Sequence, residues 1–220
     1  MRQVFLLFFV LFTVVARSQS PMPVVTLKSI DTGKPLIFFI SGDGGWKGFA
    51  PTLAKTFNNK GYPVMGLDAK SYFWTRKTPE QAAKDIGALL VSFLKESKNK
   101  NFILMGYSFG ADVVPFIQSR LHKELTPSLM HTVLLSPSPK ADFEVHIMEM
   151  MGIIKSNGLS VAEEISKLTC PVTLVFGSDD SNQLMIPNKA NSIHSIYLPG
   201  NHHFNDNINL LVNSIIPEID

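Results

Sequence analysis

The chain contains a single cysteine, Cys170, among 220 residues. One cysteine cannot form an internal disulfide, so a hydrophobic core must stabilise the fold. Hydrophobic residues make up 45% of the chain. A chain of about 200 residues suffices for one domain with a large core. Cys170 precedes Pro171 and an apolar run, so we expect it to be an unreactive core thiol.

The chain also lacks an excess of charge of either sign. It has 20 Lys and Arg residues against 18 Asp and Glu. Loss of Arg2 and Arg17 with a leader would leave 18 of each sign. A neutral chain gives no reason to expect a nucleic-acid partner. No H-E-x-x-H motif or Cys/His spacing typical of a metal site is present, so no metal and no other cofactor is expected.

Only one stretch has the composition of a membrane-interacting segment, and it lies at the N-terminus. Arg2 precedes an apolar run over residues 4–15, and Ala16-Arg17-Ser18 places small residues at the two positions that determine cleavage. This arrangement predicts a cleaved secretory signal peptide over residues 1–18, followed by a single domain over residues 19–220. A retained anchor is the alternative, but the run is shorter than the about 20 residues that span a membrane.

Short apolar runs alternate with helical patterns along the rest of the chain. This alternation predicts an α/β fold with a mostly parallel central sheet flanked by helices. Thr78-Pro79-Glu80-Gln81 has the form of a capping box and predicts a helix start. The predicted strands lie at residues 24–30, 36–40, 62–67, 102–105, 132–135, 172–176 and 193–198, and further helices at 49–60, 109–121 and 208–216.

The motif Gly106-Tyr107-Ser108-Phe109-Gly110 joins a predicted strand to a predicted helix. A G-x-S-x-G motif at such a junction places the serine on a sharp, exposed turn beside a helix N-terminus. Glycines on both sides keep Cβ atoms out of the crowded turn. Ser108 is therefore the candidate nucleophile.

A serine hydroxyl needs a base to take its proton, and two later turns supply candidates. Asp179 and Asp180 follow one predicted strand, and His202 and His203 follow the next. The carboxyl ends of parallel strands meet at one edge of a sheet, where α/β proteins form their sites. We take Asp180 and His203 as the preferred acid and base, with Asp179 and His202 as alternates.

A glycine-rich loop, Ser41-Gly42-Asp43-Gly44-Gly45-Trp46, follows the strand at residues 36–40. Backbone N–H groups of Asp43 or Gly44, together with that of Phe109, would form an oxyanion hole. A dinucleotide-binding loop is the rival interpretation, since Gly42 and Gly44 fit the start of G-x-G-x-x-G. The third glycine position is occupied by Lys47, which disfavours it.

Aromatic and cationic residues are interleaved in a segment over residues 68–78, which leaves a strand near Ser108. Its candidate substrate-binding residues are Lys70, Trp74, Arg76 and Lys77. A guanidinium suits a bidentate grip on phosphate, so Arg76 is the preferred anion ligand. A solvated loop with its aromatic rings packed against the protein is the alternative.

A less regular stretch between Pro137 and Leu168 clusters apolar residues: Phe143, Val145, Ile147, Met148, Met150 and Met151. An ordinary crossover with a buried face explains it, and a pliable wall of an acyl or lipid pocket is the alternative. Neither interpretation leaves room for a large lid domain.

Four of these segments together resemble the AcvB/VirJ family of bacterial virulence-associated periplasmic proteins, and the resemblance extends over essentially the whole chain after the leader. They are Gly42-Asp43-Gly44-Gly45-Trp46, residues 68–80 with Tyr72-Phe73-Trp74 and Arg76-Lys77-Thr78-Pro79-Glu80, residues 106–112, and Pro199-Gly200 with His202-His203-Phe204.

The resemblance implies an α/β-hydrolase fold with a minimal lid, a periplasmic location and hydrolysis of lysyl-phosphatidylglycerol by Ser108, Asp180 and His203. The expected partners are then an ester or aminoacyl-lipid substrate and, peripherally, membrane lipid. A general carboxylesterase or thioesterase, and a non-catalytic secretion-accessory protein on the same fold, are the alternative functions. The oligomeric state stays open.

Overall fold

The computed structural model describes residues 22–29, 33–145, 158–181, 184–186 and 192–220. Its strands are β1 (Val24–Leu27), β2 (Leu36–Ile40), β3 (Val64–Leu67), β4 (Phe102–Tyr107), β5 (Leu129–Leu135), β6 (Lys140–Ala141), β7 (Leu159–Ser160), β8 (Val172–Gly177) and β9 (Ile193–Leu198). Its α-helices are α1 (Phe49–Asn59), α2 (Ala69–Tyr72), α3 (Pro79–Glu96), α4 (Phe109–Gln118), α5 (Val161–Ile165) and α6 (Ile208–Ile219).

Seven strands form the central sheet, in the order β1-β3-β2-β4-β5-β8-β9. All neighbours are parallel except β1, which pairs antiparallel with β3 at one edge. β6 and β7 form a separate two-stranded ribbon. The predicted fold class is therefore confirmed, and the carboxyl ends of β2, β4, β5, β8 and β9 meet along one edge.

Both faces of the sheet are buried, which explains why its strands read as continuous apolar runs. Alternate residues of each strand enter opposite halves of the core. Phe38 and Leu104 pack on the side of α3 and α4, whereas Phe39 and Met105 pack on the side of α1 and α6. β4, which leads to Ser108, lies at the centre of this arrangement and has a parallel strand on each side.

Two elements differ from the sequence prediction in ways that affect the site. β4 extends to Tyr107, so the strand continues up to Ser108 itself. The segment over residues 68–78 begins with the short helix α2, where the Asp68 carboxylate accepts hydrogen bonds from the Ser71 N–H group at 3.2 Å and its hydroxyl at 2.8 Å. This capping role of Asp68 accounts for its place directly after β3.

Some predictions concern residues outside the described ranges. The signal peptide over residues 1–18 is one, and Ile147, Met148, Met150 and Met151 are others. Phe143 and Val145 are described and are buried in the core, where Phe143 packs against Phe73 and Phe116. Within the described ranges no helix has the length and hydropathy of a membrane span.

Candidate active site

Ser108 lies on a sharp turn between β4 and α4. Its backbone angles, φ 52° and ψ −119°, are unusual for a residue with a side chain. The flanking glycines make this turn sterically feasible. A Cβ atom on Gly106 would lie 2.4 Å from the backbone of Gly110, and one on Gly110 would lie 2.2 Å from the Ile40 carbonyl oxygen. Both positions therefore require glycine.

A chain of two hydrogen bonds links Ser108 to an imidazole and a carboxylate. Oγ of Ser108 lies 2.9 Å from Nε2 of His202, and Nδ1 of the same ring lies 2.7 Å from Oδ2 of Asp180. The Asp180 side chain is only 5% exposed, so its charge is poorly screened by water. The three side chains have the geometry of a serine, base and orienting carboxylate.

The preference for His203 over His202 is wrong, because the alternate histidine occupies the position between Ser108 and Asp180. His203 turns away, and its Nδ1 lies 2.8 Å from the Tyr107 hydroxyl. The preference for Asp180 over Asp179 agrees with the geometry. Asp179 is exposed, and its carboxylate accepts a hydrogen bond from the neighbouring Ser178 hydroxyl at 3.0 Å.

The turn after β9 determines which histidine faces Ser108. Gly200 has φ 120°, a backbone conformation that L side chains rarely adopt. The loop then runs so close to the end of β8 that a Cβ atom on Gly177 would lie 2.2 Å from the Asn201 carbonyl oxygen. The Ser136 hydroxyl also donates to the His202 carbonyl oxygen at 3.3 Å. These contacts fix the backbone of His202 beside the nucleophile.

The predicted oxyanion-hole groups surround the same serine. Asp43 and Gly44 lie in the turn closed by the hydrogen bond from the Gly45 N–H group to the Gly42 carbonyl oxygen at 3.0 Å, and they line the cleft above Ser108. Phe109 is the first residue of α4, where N–H groups have no partner within the helix. Gly42 lies against Tyr107 and Ser108, so the loop approaches the nucleophile closely.

Trp46 anchors this loop to the sheet. Its indole occupies the space above Gly66 of β3, where a Cβ atom would lie 1.8 Å from a ring carbon. The ring also packs against Phe39 of β2, with centroids 5.8 Å apart. A large aromatic side chain packed on a glycine therefore determines the height of the glycine-rich loop above the sheet.

The cleft above Ser108 has a volume of about 720 Å³. Two charged lining residues, Lys47 and Asp206, were not predicted as site residues, although each follows a motif identified in the sequence. The lining residues are Gly42, Asp43, Gly44, Gly45, Lys47, Gly48, Phe49, Ala50, Tyr107, Ser108, Ser138, His202, His203 and Asp206. The polar groups carry charges of both signs around one nucleophile.

None of the predicted substrate-binding residues Lys70, Trp74, Arg76 and Lys77 is among those that line the cleft. The Arg76 guanidinium instead pairs with Glu144 at 2.8 Å and Asp142 at 3.5 Å. The Lys77 ammonium lies over the Tyr72 ring, 4.9 Å from its centroid. Phe73, from the same segment, packs against Phe109 beside the nucleophile. The segment thus packs behind the Ser108 turn and does not line the cleft.

A buried carboxyl group lies one helical turn beyond the nucleophile. Asp112 accepts a hydrogen bond from the Ser138 N–H group at 2.6 Å, and Ser138 lines the cleft. Burial raises the pKa of Asp112 well above its ordinary value, which outweighs the opposing effect of this hydrogen bond. The group therefore joins α4 to the loop after β5, on which Ser136 holds His202.

Within the ranges that the structure describes, no cluster of three or more His, Cys, Asp or Glu side chains could hold a metal ion. Both histidines of the doublet have hydrogen-bond partners in the site, Asp180 and Ser108 for one and Tyr107 for the other.

The parallel sheet, the strained serine between β4 and α4 and the His202–Asp180 pair define an α/β-hydrolase fold with a serine-centred site. Residues 34–220 match the family described as bacterial virulence protein (VirJ). The chain therefore belongs to the VirJ family, which confirms the resemblance drawn from its motifs. No curated protein matches the chain.

Solved structures share the fold at low sequence identity. Est1E from Butyrivibrio proteoclasticus with bound ferulic acid has a TM-score of 0.62 and 16% identity, over 88% of this chain and 92% of its own. The monoacylglycerol lipase of Paleococcus ferrophilus has a TM-score of 0.57 and 18% identity, over 90% and 99%. The thioesterase domain from the curacin biosynthetic pathway has a TM-score of 0.59 and 14% identity, over 88% and 94%.

Proposed function

We propose that the protein is a serine hydrolase of carboxylic esters, with Ser108 as nucleophile, His202 as general base and Asp180 as the orienting carboxylate. The observation that carries this proposal is the continuous hydrogen-bonded chain from Ser108 through His202 to Asp180. A protein that only binds a ligand has no need of a nucleophile on a strained turn beside a base.

The reaction begins when Nε2 of His202 takes the hydroxyl proton of Ser108 as Oγ attacks the ester carbonyl carbon. Asp180 accepts the Nδ1–H hydrogen bond throughout, which fixes the ring's tautomer and stabilises the imidazolium. The imidazolium then gives its proton to the departing alcohol, leaving an acyl group on Oγ. Water, deprotonated by the same ring, releases the acid and restores the serine.

Negative charge develops on the carbonyl oxygen during both attacks. We assign the donors to this oxygen as the N–H group of Phe109, the first residue of α4, and those of the Asp43–Gly44 turn, which lines the cleft. Such donors act without rearrangement, and removal of one costs about 10²–10³ in rate in other serine hydrolases.

We further propose that the substrate in the cell is an aminoacylated lipid such as lysyl-phosphatidylglycerol, encountered in the periplasm. Membership of the VirJ family supports this choice, as does the leader-like sequence over residues 1–18. The mixed charge of the cleft also supports it, because such a lipid carries ammonium groups beside its ester and a phosphate on its alcohol side. Lys47, and Asp43 with Asp206, offer the complementary charges.

The proposal is tested with purified protein and a fluorophosphonate probe, which reacts covalently with activated serines. We expect labelling of the wild type and none of Ser108→Ala. Ser178→Ala is the matched control, because Ser178 is an exposed serine in the loop after β8, next to Asp179, and its loss should leave labelling intact.

Substrate comparison then separates the esters. Hydrolysis of lysyl-phosphatidylglycerol with a higher kcat/KM than acyl thioesters and p-nitrophenyl esters supports the lipid assignment. Preference for simple esters or thioesters would instead establish a general esterase or thioesterase. A folded wild type that the probe does not label would overturn the enzymatic proposal and favour a binding protein.

A further inference from the structure

His203 occupies the cleft without belonging to the Ser108–His202–Asp180 chain. Its ring is exposed and lines the cleft beside Asp43 and Asp206. Among the described residues, only Nδ1 of its two ring nitrogens has a hydrogen-bond partner, the Tyr107 hydroxyl at 2.8 Å. The ring also packs edge-on against Phe49, with centroids 6.1 Å apart, so its plane is held from two sides.

Tyr107 is a firm donor for this contact. Its side chain is buried, between Phe49 at a centroid distance of 4.3 Å and the rings of the histidine doublet. Burial, with help from three nearby carboxylates, raises the pKa of Tyr107 above its ordinary value, so the hydroxyl keeps its proton. Among the described residues that proton has one alternative acceptor, the His202 carbonyl oxygen at 3.5 Å, which is too far for a strong bond.

The proton of Tyr107 therefore belongs to the shorter contact, and Nδ1 of His203 is the acceptor. A neutral imidazole that accepts at one nitrogen carries its hydrogen on the other. The hydrogen of His203 consequently lies on Nε2, on the part of the ring directed away from Tyr107. Since the exposed part of this ring borders the cleft, the cleft gains a hydrogen-bond donor of fixed direction.

We propose that His203 is a substrate-binding residue whose Nε2–H group donates a hydrogen bond to an oxygen of the bound ester, with Tyr107 as the positioning residue that fixes its tautomer. The inference rests on the proposed hydrolase function and assigns separate roles to the two adjacent histidines. His202 transfers protons, whereas His203 holds the substrate. Tyr107 directly precedes Ser108 in the chain, and it thereby couples the position of the sharp turn at Ser108 to substrate binding.

The test compares wild type, His203→Ala, His203→Gln and Tyr107→Phe with p-nitrophenyl butyrate as substrate and the fluorophosphonate probe as a second readout. We expect His203→Ala to raise KM, and the KI of the probe, about tenfold, as for loss of one hydrogen bond. kcat and the limiting rate of labelling should change by less than about threefold. Gln carries an amide N–H near the place of Nε2–H, so His203→Gln should recover part of the binding.

Tyr107→Phe should raise KM in the same direction, and it should have little further effect when combined with His203→Ala. His122→Ala is the matched control, because the His122 side chain is 72% exposed and lies outside the cleft. Thermal unfolding of each variant distinguishes lost binding from lost structure.

The inference is overturned if His203→Ala leaves both KM and KI unchanged. It is also overturned if Ala and Gln variants lose kcat and thermal stability together, since that pattern would indicate a structural role alone. If the probe labels the wild type and His203→Ala leaves KM and KI unaltered, only this inference is refuted. Unlabelled wild type refutes the proposed function itself.

Discussion

Nδ1 of His202 lies 2.7 Å from the buried carboxylate of Asp180, and this contact holds the ring with Nε2 toward Ser108. His202→Ala should therefore lower kcat for ester hydrolysis by at least about 10³-fold, and Asp180→Asn should lower it by up to about 10⁴-fold by favouring the wrong tautomer. Initial-rate kinetics and probe labelling measure both effects.

The neighbouring carboxylate provides the control for this prediction. The Asp179 side chain is exposed and accepts a hydrogen bond from the neighbouring Ser178 hydroxyl, so Asp179→Asn should retain kcat within about threefold. Equal losses in the two asparagine variants would contradict the assignment of the acid.

Gly66 should not tolerate a methyl group. Gly66→Ala would displace the Trp46 indole from its position against β3. Overpacking of this kind lowers the free energy of unfolding by about 1–3 kcal/mol. Because the indole holds the glycine-rich loop that we propose forms the oxyanion hole, kcat should fall as well. Urea denaturation and kinetics measure the two consequences.

Gly87 in α3 is the matched glycine. A Cβ atom there would have its nearest neighbours in the side chains of Leu125 at 3.6 Å and Leu121 at 3.8 Å, which are ordinary contacts. Gly87→Ala should thus stabilise the protein by about 0.5–1 kcal/mol, because alanine favours helix. Destabilisation in both variants would show that the space above Gly66 is not the cause.

Asp112 should make stability depend on pH. Its pKa is raised in the folded state, so its favourable contribution is complete below the pKa of the unfolded chain and is lost as pH rises through the folded-state pKa. Asp112→Asn keeps the acceptor for the Ser138 N–H group and carries no charge. Relative to wild type, it should gain up to about 1.4 kcal/mol per pH unit within that window.

Urea denaturation at pH 5, 6.5 and 8 measures this difference. Parallel stability profiles for the two proteins would show that Asp112 does not titrate in the window. Asp112→Ala, which removes the acceptor, should be less stable than Asp112→Asn at every pH.

Lys47 and Arg76 should differ in their effect on an anionic substrate. Lys47 lines the cleft, so Lys47→Ala should raise KM for lysyl-phosphatidylglycerol several-fold and leave that for p-nitrophenyl butyrate unchanged, as expected of one charge contact of about 1 kcal/mol. Arg76 pairs with Glu144 and Asp142 outside the cleft, so Arg76→Ala should leave both values within about twofold. A larger effect at Arg76 would restore it as the anion ligand. Vesicle assays at low and high salt test both variants.

Local patterns predicted much of the site. The capping box at Thr78 and Gln81 is present, with both of its hydrogen bonds. Ser108 lies on the expected turn, because the glycines on its two sides keep Cβ atoms out of the close backbone contacts that this turn requires. The parallel direction of the strands could be predicted from their alternation with helices, since parallel strands need crossover connections.

The choice between two adjacent histidines could not be read from the sequence. It depends on the path of the backbone after Gly200, on the close approach of Asn201 to Gly177, and on Ser136 in the loop after β5. These are tertiary contacts between residues far apart in the chain. The place of Arg76 outside the cleft could not be predicted for a similar reason, because its acidic partners lie 66 and 68 residues away in the chain.

The seating of Trp46 on Gly66 bears on how this loop could be moved between proteins. Transfer of Gly42-Asp43-Gly44-Gly45-Trp46 into another hydrolase would bring the donors of the oxyanion hole but not the notch that receives the indole. The recipient would also need a glycine at the matching position of the neighbouring strand. Across relatives, the two positions should accordingly change together: a bulkier residue on β3 should accompany a smaller side chain in the loop.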